Sequence, residues 1–203
     1  MEKVIFLIDG FNLYHALMEE KRFRKYRWIS LYSLAEKFIT KKDKIEEIYY
    51  FTALTTWSAG KVKRHKIFIK AQELNNVKVV YGEFRKRDKK CHICKRIYQT
   101  FEEKQTDVNI AISLFQLAIK DKYDKAIIIS GDSDLIPSIE AVKSTFPSKQ
   151  IGVIIPIGRR AELLKKTCDF YMKMKEKHLN YSMLPDIIDL GDGKEIKKPD
   201  YWK

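Results

Sequence analysis

Val4-Ile5-Phe6-Leu7-Ile8-Asp9-Gly10-Phe11-Asn12 is the stretch on which the reading of this chain turns. Its unbroken apolar run, with no polar alternation, describes a strand covered on both faces, and the Asp-Gly pair behind it stops the strand. The pattern returns at Ala126-Ile127-Ile128-Ile129, which is halted by Ser130-Gly131-Asp132-Ser133-Asp134. Further strand-like runs occupy residues 45–54, 77–84 and 150–155, and helix-like stretches fill residues 11–20, 31–39, 60–75, 102–120 and 134–145. Apolar strands alternating with helices predict an α/β fold with a mainly parallel sheet of about five strands, layered by helices on both faces. Ligands of such sheets gather beyond the carboxyl ends of the strands.

That rule gives distant acids one meeting point. Asp9 lies just past the first strand, and Asp132 and Asp134 just past the fourth. Asp107 opens the helix that leaves the third, and Ala111, Leu114 and Ala118 continue its stripe inward. Two carboxylates ~5 Å apart at an effective dielectric of ~20 repel by roughly 3 kcal/mol, so a cluster of them calls for protons or a cation. Oxygen donors without a matching His or Cys select a hard ion, Mg²⁺ or Mn²⁺. The rest of the chain is cationic, with 40 Lys and Arg against 27 Asp and Glu and a net charge of +13. An acidic cluster inside a basic protein points to a divalent ion working on an anionic polymer.

The basic residues are grouped. Lys21, Arg22, Arg24, Lys25 and Arg27 interleave with Phe23, Tyr26 and Trp28; Lys61, Lys63, Arg64 and Lys66 form a second group, and residues 85–90 a third. Cations neutralise phosphates and aromatic rings stack on unpaired bases, so the first group suits single-stranded RNA, bound in a salt-sensitive way. Arg22, Arg24, Lys63 and Arg64 are the candidate substrate contacts.

The 203 residues suit one domain, here residues 1–180, with residues 181–203 as an extended or partly disordered tail rich in turn formers. No apolar stretch reaches membrane-spanning length, no signal peptide precedes residue 4, and an odd cysteine count argues against a disulfide framework. A cytoplasmic protein without a membrane partner is the expectation. Cys91-His92-Ile93-Cys94 invites a zinc reading, yet only Cys168, His15, His65 and His178 remain as further ligands. A small turn with two ordinary thiols is the simpler reading; a knuckle completed by a second subunit is the other, and this loop or a sheet edge could join a homodimer.

Ile8-Asp9-Gly10-Phe11-Asn12, Glu103-Lys104-Gln105-Thr106-Asp107-Val108 and Ser130-Gly131-Asp132-Ser133-Asp134-Leu135 resemble the three signature blocks of NYN domains, specifically the LabA-like branch. The resemblance covers residues 4–143 and extends to residues 151–170. It implies a Rossmann-like, PIN-like sandwich with one acidic site, and a metal-dependent ribonuclease. Asp9, Asp107 and Asp132 would hold Mg²⁺ or Mn²⁺, Asp134 would be a further ligand or position a water, and Asn12 would orient Asp9 or a bound water. Lys104, three positions before Asp107 on a neighbouring helical face, could reach a phosphate. Leu135 stands where the family more often has Phe.

Plainer readings stand beside these. Asp9-Gly10 can be a turn, and Asp134 can cap the helix containing Pro137, leaving Asp132 free. Asp169 reads as a structural acid at the sheet edge. Intact acids leave two functions open, a ribonuclease or a non-catalytic RNA-binding module on the same fold. A phosphatase of the haloacid-dehalogenase kind needs a second Asp two residues after the first, where this chain has Phe11.

Overall fold

A computed structural model describes residues 1–202. In chain order its strands are β1 (Glu2–Asp9), β2 (Asp43–Thr52), β3 (Val77–Tyr81), β4 (Glu83–Lys90), β5 (Ile97–Lys104), β6 (Lys125–Ile129), β7 (Gln150–Ile155), β8 (Phe170–Lys173), β9 (Ile187–Gly191) and β10 (Lys194–Lys197). The helices are α1 (Gly10–Glu19), α2 (Leu31–Glu36), α3 (Ala59–Glu73), α4 (Thr106–Ile119), α5 (Ile136–Thr145), α6 (Glu162–Thr167) and α7 (Glu176–Asn180).

The central sheet has six strands in the order β3-β2-β1-β6-β7-β8, all parallel. The architecture is the expected α/β sandwich, one strand larger than its sequence suggested. The added strand, β8, is only four residues long and half-exposed, which leaves little apolar signal. Along β1, Val4, Phe6 and Ile8 enter the core shared with α1, α2 and α3, while Ile5 and Leu7 enter the core shared with α4, α5 and α6. Period-two alternation in a strand with two buried faces thus builds both layers.

Gln72 ties the first layer together. It is fully buried, accepts from the Leu31 N–H at 2.9 Å and donates to the Ile29 carbonyl at 2.9 Å, joining the start of α2 to α3. Among the described residues, no helix is long and apolar enough to cross a membrane.

Two boundaries differ from the sequence reading. The run 77–84 divides at Gly82, where a Cβ would stand 2.6 Å from the Lys104 carbonyl; the chain leaves the sheet there into an antiparallel hairpin, β4 with β5. Residues 97–104 are therefore strand, and the helix read over 102–120 begins only at Thr106. Glu102 has helix-forming character, but its carboxylate bridges Lys89 at 2.7 Å across the hairpin, and the ladder wins over local propensity. After Tyr181 the chain runs through the β9–β10 hairpin, with Ile196 buried, Trp202 packed against Trp28, and the Trp28 indole N–H donating to the Pro185 carbonyl at 2.8 Å.

Candidate active site

The strand order reverses direction between β1 and β6, and the crevice beyond their carboxyl ends is where such folds place ligands. Asp9 ends β1 there and caps α1: its Oδ1 accepts from the Asn12 N–H at 2.9 Å, and its Oδ2 accepts from the Ser130 hydroxyl at 2.9 Å. Gly10 makes that turn possible, since a Cβ would meet the Phe51 carbonyl oxygen and the Tyr50 ring at 2.6 Å. The Asn12 side chain accepts from the Gly131 N–H at 2.9 Å and so clamps the loop after β6 to the start of α1. Ser130 Oγ also accepts from the Asp132 N–H at 3.1 Å, which fixes the next acid.

Asp9, Asp107 and Asp132 line one pocket, joined by Glu103 from the end of β5, with Arg159 and Arg160 on its wall. Asp134 stands exposed beside it, near enough to act on Asp107 electrostatically. Burial first, then the charges of Asp9, Asp132, Glu103 and Asp134, push the Asp107 carboxyl up to about 6. Burial likewise raises Asp9, against the opposing hydrogen bonds from Asn12 and Ser130. Among the described residues none of these five carboxylates makes an ion pair, although the chain carries an excess of cations.

The donor chemistry fits a hard divalent ion. A carboxylate offers about four lone-pair directions, and the two hydrogen bonds to Asp9 leave acceptor capacity on each oxygen. Among the described residues, however, no three acidic, His or Cys side chains converge into a finished set of ligands. Water or modest side-chain motion has to complete any coordination.

Several expected roles shift. Asp134 does not cap the helix containing Pro137: Asp132 caps a short 3₁₀ turn at Ser133–Leu135, its Oδ1 accepting from the Asp134 N–H at 3.0 Å, and α5 follows that turn with Leu135 at its N-cap position, no side-chain cap, and Pro137 in its first turn. Lys104 sits on β5 rather than on a helix and is held by Glu102 at 3.2 Å. Arg22 is paired to Glu20 at 2.8 Å, and Arg24 Nε donates to the Met18 carbonyl at 3.2 Å. The aromatic residues between them, Phe23, Tyr26 and Trp28, are buried in the core and cannot stack on bases. Lys63 lies exposed on α3, while Arg64 packs over the Tyr201 ring at 4.6 Å. None of Lys104, Arg22, Arg24, Lys63 and Arg64 lines the acidic pocket.

Glu103 is the acid that the sequence reading missed. Its Oε1 accepts from the Thr106 N–H at 3.1 Å and from the Thr106 hydroxyl, which anchors the hairpin to the start of α4. Asp169 is structural, accepting from the Ile151 N–H at 2.7 Å and pairing with Lys143 at 2.7 Å. Cys91 and Cys94 form the hairpin tip, where the Lys95 N–H donates to the Cys91 carbonyl at 3.0 Å with Lys95 at φ 59°, while Cys168 is buried in the core. Among the described residues no third ligand joins the two tip thiols.

A Vibrio parahaemolyticus protein of unknown function, VPA0982, has a similar crystal structure: TM-score 0.60 at 18% identity, over 90% of this chain and 96% of that one. A curated relative from Pseudomonas putida (strain DSM 28022 / S16), 6-hydroxy-3-succinoylpyridine 3-monooxygenase HspA, is 25% identical over 235 residues, covering 96% of this chain and 73% of its own length. The NYN domain model matches residues 3–175, a span that holds β1, β6 and every acid of the pocket, and the chain belongs to the NYN domain family, with its PIN-like, nuclease-type fold.

Proposed function

We propose that the protein is a metal-dependent ribonuclease that hydrolyses phosphodiester bonds of single-stranded RNA in the acidic pocket. The observation that carries this reading is one pocket lined by Asp9, Glu103, Asp107 and Asp132, with Asp134 beside it and, among the described residues, no ion-pair partner for any of the five, at the switch point of a +13 chain. Such a set is costly unless a cation neutralises it. Asp9, Asp107 and Asp132 would hold Mg²⁺ or Mn²⁺, with Asp134 and Glu103 at the edge of the shell. When bound, the ion would lower the pKa of an attacking water and offset charge developing on the phosphorus oxygens.

The remaining chemistry belongs to the chain. Ser130 and the Asn12 N–H fix both oxygens of Asp9, so its free lone pairs keep one direction. The Asn12 side chain and Gly131 hold the two strand ends in register. Arg159 and Arg160 give the pocket wall the positive charge that an entering phosphate requires.

The test incubates purified protein with labelled single-stranded RNA, with and without Mn²⁺, beside Asp132→Asn. Mn²⁺-dependent scission by wild type and its loss in the variant is the expected result. Equal cleavage by both proteins overturns the reading, and RNA affinity that survives Asp9→Asn without scission at any metal concentration leaves a binding module instead. The name of the Pseudomonas relative supplies a second reading, oxygenation of a hydroxypyridine, favoured by an aromatic-lined cavity beside the acids. Oxygen uptake with 6-hydroxy-3-succinoylpyridine and an added two-electron donor, which reduces the second oxygen atom to water, absent with RNA and the same donor, would select it.

A further inference from the structure

Next to the acidic pocket lies a larger cavity of about 720 Å³, within the size range of small-molecule sites. Phe11, His15 and Glu103 line both spaces, so the cavity opens beside the acids. Its floor is apolar and buried, built from Leu13, Leu17, Ile29 and Phe68. Over it sits an aromatic group: Trp57 stacks on Phe101 at 3.9 Å between ring centres, and Phe84 meets Trp57 edge-on at 4.9 Å. Phe84 and Phe101 come from the β4–β5 hairpin, so that hairpin walls the cavity.

Polar groups enter at few points. The Thr55 hydroxyl is buried against the cavity with no hydrogen-bond partner among the described residues. A buried hydroxyl left unpaired is unfavourable, and a ligand atom would relieve it. Lys61, Arg64 and Arg27 put positive charge on the same lining. Flat apolar walls, one orphaned hydroxyl and a cationic rim match a planar ring that carries both hydrogen-bonding atoms and an anionic arm.

We infer that this cavity binds a nitrogen-heterocyclic ring with an anionic substituent, and that the occupant is a nucleobase of the RNA, unstacked and inserted beside the phosphate held at the acids. The assignment rests on the ribonuclease reading for its choice of ligand, and its geometry does not. Trp57 and Phe101 supply the stacking surface, Thr55 reads an edge of the ring, and Arg64 meets a phosphate of the same strand. The same chemistry would admit a free heterocyclic acid, so source and site are tested together.

The experiment measures binding in EDTA, where cleavage is silent. The probes are a short oligouridylate, the same strand with one abasic residue, AMP, UMP, and 6-hydroxy-3-succinoylpyridine. Wild type is expected to bind the intact strand about tenfold more tightly than the abasic one, and Trp57→Ala to erase that difference. Arg64→Ala is expected to weaken AMP and UMP about tenfold while leaving the circular dichroism spectrum unchanged. Equal affinity of wild type for intact and abasic strands overturns the nucleobase assignment. Binding of the pyridine acid alone, with no nucleotide bound, also overturns it in favour of a small-molecule source. Base-dependent binding without scission in Mn²⁺ removes the ribonuclease reading and keeps the cavity's role, whereas scission without base-dependent binding does the reverse.

Discussion

At the residue scale, Asp107 carries the clearest mark of a site shaped for something other than stability. Its carboxyl is pushed up to about 6 by burial and by like charges, so the folded protein holds a proton that the unfolded chain, at an ordinary value of 3.8, has released. Between those values the native state binds more protons than the unfolded one, and stability falls as pH rises through the window. Asp107→Asn removes that loss. Because the group is half-exposed, the gain is discounted to a Tm roughly 1–3 °C higher at pH 7, with no gain below about pH 4, while RNA cleavage in Mn²⁺ falls about 100-fold or more. Thermal melts across pH check the first part; a variant less stable than wild type at pH 7 would contradict it.

Asp9, Asp107 and Asp132 were legible from the sequence because each stands at an element boundary, where an apolar run stops or a helix begins. Glu103 was not, because it lies in a stretch whose composition favours helix and whose strand state depends on pairing with residues 83–90. The same blindness misplaced Lys104. The cap expected from Asp134 on the helix containing Pro137 is absent because a 3₁₀ turn capped by Asp132 precedes that helix, and a three-residue turn leaves no periodic signal in sequence.

At the element scale, the layer of α1, α2 and α3 depends on Gln72 and its two buried hydrogen bonds. Gln72→Leu keeps the volume and strands the Leu31 N–H and the Ile29 carbonyl, for an expected loss of about 2–4 kcal/mol in urea unfolding. A loss under 0.5 kcal/mol, about the size of an ordinary surface substitution, would show that water replaces the amide at that junction. The hairpin β4–β5 is the element that sequence reading described least well. Its strands are Lys-, Arg- and Glu-rich and mostly exposed, so neither burial nor period-two alternation announced them. Phe84 and Phe101 were the available signal, one on each strand and both meeting Trp57. The aromatic residues at 23, 26 and 28 gave the opposite error: interleaved with cations in sequence, they point into the core while the cations face outward.

At the scale of the whole molecule, the order β3-β2-β1-β6-β7-β8 places the turnover of strand order at the acids, and that single fact of topology brings separate sequence blocks to one pocket. The parallel sheet followed from apolar runs spaced by helices; its sixth strand did not, for want of length. Global stability should also report His65, which burial lowers to about 4 and whose Nε2 lies 3.3 Å from Thr52 Oγ1. The unfolded chain takes up a proton near 6.5 and the folded one only near 4. Stability is therefore full above 6.5 and lost as pH falls toward 4, by up to about 3 kcal/mol. Asp107 acts in the opposite sense over part of that range. His65→Gln should flatten the acid limb of the stability curve, and an unchanged slope between pH 6.5 and 4 would contradict the burial of a neutral imidazole.

The acids themselves are best tested by calorimetric titration of Mn²⁺ into wild type and into the Asp9→Asn/Asp132→Asn double variant. If unpaired carboxylates at the switch point form one cation site, wild type binds the ion, gains thermal stability with it, and the double variant does neither. Equal Mn²⁺ binding by both proteins, or none by wild type, would contradict that site.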